Sequence, residues 1–468
     1  MGESSKNNNS QNVKKNEVTL TFGMSRDFID QVRENINNLD EEYLKKNVLT
    51  LHPADIADLF EILSGEQRRV LASCIQDKLP ADTLASLDEQ VLNDVIENYK
   101  PGVLGDLLGK LDTDDAAYII DSIDEERKDL LLKQIQVEPR KLIKQALEFP
   151  EMTAGRLMQR DYVAVPKYWS VGQVIDYLRG SAKVPDKFYS IFVVDPRHSP
   201  VGTVPLYKMM RSKREIILEE IMTEDPILVP VSMDQEDIAY LFEQYDLTSA
   251  PVVNAQNRLI GMITVDDVVE VIQEEAEEDM LKLAGVSGDT DLYLAAWQTT
   301  RGRFPWLFVN LLTAVLASIT IGIFEGTIKQ IVALAILMPI VASMGGNAGT
   351  QTLTVAVRAL ATRELNSSNA LNVFGKEILV GVYNGVIFAV IVGLLAAFWF
   401  GENLLGVVIA LAMLFNLFVA GLFGAAIPIL LQRFKIDPAV GASVLLTTVT
   451  DVIGFFAFLG LAYIMLVN

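Results

Sequence analysis

One cysteine, Cys74, and two histidines, His52 and His198, are all the thiol and imidazole metal ligands that 468 residues offer. This excludes a disulfide framework and any zinc-type site with the usual Cys/His spacing. No Walker loop, hydrolase nucleophile elbow or kinase signature is present, so nothing points to an enzyme. The first residues, Met-Gly-Glu-Ser-Ser-Lys-Asn-Asn-Asn-Ser, lack an apolar h-region, and 1–17 reads as a disordered polar tail rather than a signal peptide. Basic residues are scarce too: 39 Lys and Arg face 60 Asp and Glu. The imbalance is local, because residues 300–468 hold eight basic and six acidic residues, leaving 31 and 54 in the first 299, a net of −23. Such a surface excludes nucleic acid as a partner and favours cations, which relieve the self-repulsion of crowded carboxylates. Ordinary solubility is the plainer account of the same acidity.

Long apolar runs are what the chain has in abundance. Uncharged stretches extend over Pro305–Phe324, Gln330–Val357, Ile378–Gly401, Asn403–Gln432 and, apart from Asp451, Pro438–Asn468. Each is long enough to cross a bilayer, for which ~20 apolar residues suffice. Arg301, Arg303, Arg358, Arg363, Lys376, Arg433 and Lys435 fall on one side of these spans and only Lys329 on the other. The runs predict a multi-pass membrane protein, expected in a bacterial-type plasma membrane, and the positive-inside bias predicts a cytoplasmic N-terminus and an extracellular C-terminus.

Asp451 is the only acidic or basic residue inside the last run, fourteen residues beyond Asp437 and so roughly 21 Å along a helix. An isolated carboxylate at that depth costs at least ~2.5 kcal/mol. A structural hydrogen bond, a proton relay or an ion pathway would each account for it. Ser443, Thr447 and Thr448 recur with Asp451 at helical spacing, a polar stripe of the kind that lines water. The second run carries Pro339-Ile-Val-Ala-Ser-Met-Gly-Gly-Asn-Ala-Gly-Thr-Gln351. Its small residues permit close helix packing, and Asn347 and Gln351, four apart, share a face. They are either interhelical hydrogen-bonding groups or a pore lining.

Residues 18–145 read as short amphipathic helices separated by turn signals such as Leu51-His52-Pro53 and Lys100-Pro101-Gly102, a small α-helical solenoid. The acidic residues that open those helices are most simply N-caps. Over 146–265 one unit occurs twice. Tyr162-Val-Ala-Val-Pro166, Tyr189-Ser-Ile-Phe-Val-Val-Asp195 and Val201-Gly-Thr-Val204 match Ile227-Leu-Val-Pro230, Leu247-Thr-Ser-Ala-Pro-Val-Val253 and Ile260-Gly-Met-Ile263. This pair resembles tandem α/β CBS domains. The segment Gly261-Met-Ile-Thr264-Val-Asp266-Asp267 is similar to the one by which such domains can hold an adenosine ribose, which makes Thr264 and Asp267 nucleotide candidates. Capping a helix is the alternative. A linker over 266–299 follows, with eight carboxylates in the fourteen positions from Asp266 to Asp279. Like charges three or four apart each cost ~0.2–0.5 kcal/mol unless neutralised. Hard oxygen ligands of this kind suit Mg²⁺ or Ca²⁺.

The order helical solenoid, CBS pair, acidic linker (plug) helix and five-helix α transmembrane domain (300–468), with Gly346-Asn347-Ala348-Gly349-Thr350-Gln351 and the late Thr450-Asp451, resembles the MgtE family of magnesium channels. The resemblance implies a Mg²⁺-selective channel formed by a homodimer in the lipid bilayer, with Asp451 of each subunit meeting hydrated Mg²⁺. It also implies that cytoplasmic Mg²⁺ closes the pore through the linker helix. Carried over by position, the regulatory ligands are Asp114, Asp234, Glu236, Asp246, Asp267, Glu270, Glu275, Glu278 and Asp279. Mg²⁺ is the implied ion, and ATP a candidate ligand of the CBS pair. Two positions depart from the family pattern: Tyr118, where an acidic residue can stand, and Ser443-Val444, where Asn-Pro is frequent. An H⁺- or Na⁺-coupled divalent-cation carrier and a CBS-regulated membrane receptor are the other readings of the same sequence.

Overall fold

The computed structural model describes residues 24–97, 99–181, 184–185, 187–286, 296–365 and 369–467. The tail expected over residues 1–17 lies outside them, as does 287–295 of the expected linker. The chain divides into two compact units, residues up to Ile238 with Tyr245–Asp267, and Ala239–Gln244 with Val268 onward.

In the first unit, ten short helices lie between Arg26 and Leu147 among the described residues. Their apolar faces share one core that includes Leu44, Phe60, Leu71, Leu104 and Ile120. Helix starts are set by side chains that accept from free backbone N–H groups: Ser25, Asp40, His52 and Ser64. His52 is thereby explained, its Nδ1 accepting from the Ala54 N–H at 3.3 Å ahead of Pro53. Acidic N-capping holds at Asp40, but the Asp112 side chain accepts no capping bond, and Asp55, Asp114 and Asp115 lie within first turns.

The repeated unit forms two sheets. In the first, β1 (Ala164–Pro166), β2 (Ser190–Val194), β3 (Pro200–Pro205) and β4 (Thr223–Glu224) run in that order, with β1 parallel to β2 and the rest antiparallel. In the second, β5 (Val229–Pro230) is parallel to β6 (Ser249–Val253), which is antiparallel to β7 (Leu259–Thr264). A register shift falls at Val193/Val194 in one copy and Val252/Val253 in the other, so even the irregularity is repeated. Gln159 and Met262 exchange backbone hydrogen bonds of 2.8 and 2.9 Å, and buried Phe192, Leu259 and Met262 join the copies. Asp121 ties the helical array to this pair by an ion pair with Arg156, while Lys128 of the array holds the same carboxylate at 2.7 Å.

The second unit contains the rest of the linker helix, which runs Val265–Leu283 overall, and five helices long and apolar enough to span a membrane. The spans are Ala296–Ile323, Ala333–Ala361, Ala370–Phe400, Asn403–Arg433 and Ala442–Val467. A short helix, Glu325–Gln330, turns the chain between the first two and was not apparent in the apolar pattern. The fourth span is the hub: 61% of its apolar window is buried within the chain against 11% for the first, and it packs on the second, third and fifth. Backbones touch where it crosses the third span, since a Cβ at Gly421 would lie 2.8 Å from the Glu377 carbonyl oxygen and 3.3 Å from the Gly381 Cα. The whole is a multidomain membrane protein, with a helical domain, tandem CBS domains, a linker helix and a five-helix transmembrane domain.

Gly421→Val is expected to force these two backbones apart and cost about 1–3 kcal/mol. The measurement is the melting temperature of the detergent-solubilised protein. Gly375→Ala, where a methyl meets nothing within 4 Å and alanine favours the helix, serves as the control that should not lower it.

Candidate functional site

Polar side chains within the spans fall into two groups. Most hydroxyls are satisfied by their own helix: Thr447 Oγ1 donates to the Ser443 carbonyl (3.0 Å), Thr448 Oγ1 to Val444 (2.6 Å) and Thr450 Oγ1 to Leu446 (3.1 Å). Donating inward leaves the lone pairs of Thr447 and Thr448, both partly exposed, free to accept, whereas Thr450 is fully buried. Asp451 has no such arrangement. It is half-buried, and among the described residues its carboxylate has neither a hydrogen bond nor an ion pair.

The second span presents two faces. Val341, Gly345 and Gly349 are buried, and Gly349 lies against Leu446 of the fifth span while Gly346 looks toward Thr447. Ser343, Asn347 and Gln351, one turn apart in succession, are exposed on the opposite side, with a single weak bond of 3.4 Å from Asn347 Nδ2 to Ser343 Oγ. The chain therefore carries a polar stripe on the surface of an apolar helix. Lipid cannot satisfy such a stripe.

The sequence-predicted regulatory residues are dispersed, and among the described residues no three acidic, histidine or cysteine side chains converge as a metal site. Two interact electrostatically within the first unit. Asp114 Oδ1 is buried without a hydrogen-bond partner, and burial followed by the facing Asp267 carboxylate hold Asp114 well above the usual carboxylate range. Asp112 beside it is also raised, chiefly by burial. Asp267 caps the linker helix, accepting from Thr264 Oγ1 (2.9 Å), the Thr264 N–H (3.3 Å) and Gln159 Nε2 (3.1 Å). The Thr264–Asp267 pair proposed for a ribose is thus bonded to itself. Asp234 accepts from the Glu236 N–H at 3.0 Å at the start of helix Gln235–Tyr245, and both are exposed. Asp246 ends that helix at φ 50°, a left-handed position that Asp tolerates better than most side chains. Glu270 and Glu275 lie along the linker helix, at the exposed surface and partly covered respectively.

At the end of that helix the second unit holds a contact that sequence reasoning missed. Lys282 Nζ lies 2.7 Å from both Glu278 and Asp437, the latter in the turn before the fifth span. Asp279 shares the corner, its carboxyl raised by burial and by Asp437. Leu283 packs against a cluster of Leu353, Val357, Ile427, Ala442 and Leu446 from the second, fourth and fifth spans, with Ala439 from the turn before the fifth. The available signal was Lys282 itself, the one base closing an acidic helix, although nothing local points from it to a residue 155 positions away.

Three family models match the chain: divalent cation transporter (MgtE) over residues 338–461, MgtE intracellular N domain over 51–152 and CBS domain over 218–274. The magnesium transporter MgtE of Thermus thermophilus is 32% identical over 93% of this chain and 98% of its own length. That of Bacillus subtilis is 30% identical over 88% and 91%. The chain belongs to the MgtE family of magnesium transporters. Among solved structures, the cytosolic domain of the Mg²⁺ channel MgtE in complex with ATP is similar at 28% identity, covering 52% of this chain and 99% of that one, with a TM-score of 0.49. Within the family frame, the transporter match spans the second-span motif and Asp451, and the N-domain match spans Asp114.

Because the folded state raises the Asp114 carboxyl, Asp114 contributes stability below the ordinary carboxylate value, and that contribution is lost as pH rises through the raised one. Asp114→Asn is therefore expected to be more stable than wild type at neutral pH in chelator, with the difference vanishing toward pH 4. Chemical denaturation of the full-length protein at several pH values checks the sign.

Proposed function

We propose that the chain imports Mg²⁺ through a channel between two copies of its transmembrane domain, which cytoplasmic Mg²⁺ closes. The observation that carries the pore is the unpartnered Asp451 beside a hydroxyl stripe, together with the exposed Ser343–Asn347–Gln351 stripe of the neighbouring span. Two copies that turned these stripes toward each other would enclose them in water, which is the argument for a homodimer. Mg²⁺ gives up its inner waters reluctantly. One carboxylate per subunit with hydroxyls and amides around it suits recognition of the hydrated ion through its waters, at little dehydration cost. Asp451 supplies the charge, and Asn347, Gln351, Ser443, Thr447 and Thr448 the lining. The excess of basic residues on one side of the spans supports a cytoplasmic N-terminus and an extracellular C-terminus.

The closing arm of the proposal rests on the acidic pairs. Bound divalent cation would offset the repulsion between carboxylates such as Asp114 and Asp267, and between Asp437 and Asp279 beside Lys282, and so favour the compact arrangement by differential affinity. Two-carboxylate sites fit an ion that keeps most of its waters. Any role of ATP at the CBS pair requires Asp267 to exchange its bonds to Thr264 for ribose hydroxyls.

Two measurements test this reading. Asp451→Asn should cut Mg²⁺ uptake into liposomes by about tenfold or more while size-exclusion behaviour stays wild-type. Uptake at the wild-type rate by that variant would refute the pore. For the gate, neutralising Asp246, Asp267 and Glu278 together should leave currents that persist at millimolar internal Mg²⁺. Normal closure in the triple variant would place the sensor elsewhere.

A further inference from the structure

Asn416 is the one fully buried asparagine among the described residues of the spans, at 0% exposure in the middle of the fourth. Its Nδ2 donates to the backbone carbonyl of Val341 in the second span at 2.8 Å. That carbonyl already serves its own helix, so the amide takes its second lone pair. The side chain sits in a gap where two neighbouring helices present no side chain. A Cβ at Gly345 of the second span would overlap the Asn416 amide, and one at Gly454 of the fifth would lie 2.8 Å from Nδ2 and 3.0 Å from Oδ1. Asn416 Oδ1 is buried with no hydrogen-bond donor, and the hydrogens that both glycines carry in place of a side chain point toward the amide. Such C–H···O contacts are weak, and a buried amide oxygen left with nothing better is a cost the fold retains.

The three groups that Asn416 touches belong to the two helices of the proposed pathway. Gly345 is two residues from Asn347 on the opposite face of its helix, so seating Gly345 against the amide turns Asn347, Ser343 and Gln351 outward. Gly454 follows Asp451 by three residues, just under one turn. We propose that Asn416 is a positioning residue for transport: as a wedge bonded to Val341 and seated on Gly345 and Gly454, it fixes the spacing and rotation of the second and fifth spans and so the placement of Asp451 relative to Asn347. An apolar side chain of similar size would fill the gap without fixing the axial register, because only the amide engages the Val341 carbonyl. The inference rests on the reading that these two spans line the ion path.

The test is a cycle at positions 345 and 416 in full-length protein, reconstituted into liposomes and read by initial rates for Mg²⁺ and for Ca²⁺ as a second probe. Gly345→Ala in the wild-type background should lower the Mg²⁺ rate about tenfold, since its methyl displaces the amide, whereas in the N416A background the same methyl has room and should cost about twofold or less. N416A alone should change the Mg²⁺ to Ca²⁺ rate ratio about threefold, and N416L should change it in the same direction. If N416A does not assemble, the cycle is run with N416S. Equal losses from Gly345→Ala in both backgrounds overturn the wedge. An unchanged rate ratio in N416A with only a lowered melting temperature overturns the positioning role and leaves Asn416 as packing. Asp451→Asn measured alongside separates the two layers of the argument: if it transports normally, the pore reading fails, and if it is inactive while the 345/416 cycle is additive, only the present inference fails.

Discussion

A carboxylate near the middle of a bilayer must find water, a cation or a buried partner, and the membrane unit is organised by that demand. Its polar groups have been sorted accordingly. Thr447, Thr448 and Thr450 are satisfied by their own helix, and Asn416 is satisfied on its donor side by the second span. Among the described residues Asp451 is left without a partner, and Asn347 has only a weak bond to Ser343. Asp451 and Asn347 lie on the two helices that the fourth span holds together.

The opposite solution operates at the end of the linker helix. There the carboxylates are too close to remain apart in charge, and one lysine stands between Glu278 and Asp437, with Asp279 in the same field. A partly covered ion pair is worth little by itself, about 0–1 kcal/mol. Its value lies in direction. With Leu283 packed into the cluster around Leu353 and Ala439, the ammonium fixes which face of the helix meets the turn before the fifth span. On the proposed reading this fixed cation seats the linker helix before any divalent ion arrives.

Much of this was legible in the sequence, for physical reasons. The five spans could be read because a bilayer imposes length and apolarity on each one separately, and the CBS repeat because two copies share a pattern of strands down to the same register shift. Asp451 could be read because its neighbours make it anomalous. What escaped was non-local or disguised. The Lys282–Asp437 pair joins residues far apart in the chain, and Asn416 looks like any single polar residue in a long apolar run until the glycines opposite it are known. The acidic helix starts looked alike, yet Asp40 caps its helix, Asp112 does not, and Asp114 is buried against Asp267. Burial separates these three, and periodicity carries no information about burial between domains of one unit.

The dispersal of the acidic residues has a consequence for how a sensor built from them would respond. A cage of four or more protein oxygens strips an ion of its waters and binds it tightly, so at cellular Mg²⁺ it would stay filled and report nothing. Pairs such as Asp114–Asp267 leave most of the hydration shell in place, and each alone shifts an equilibrium only by its differential affinity between open and compact arrangements. Several weak sites coupled to one conformational change multiply those differences, so a small rise in ion concentration moves the population further than any one of them could.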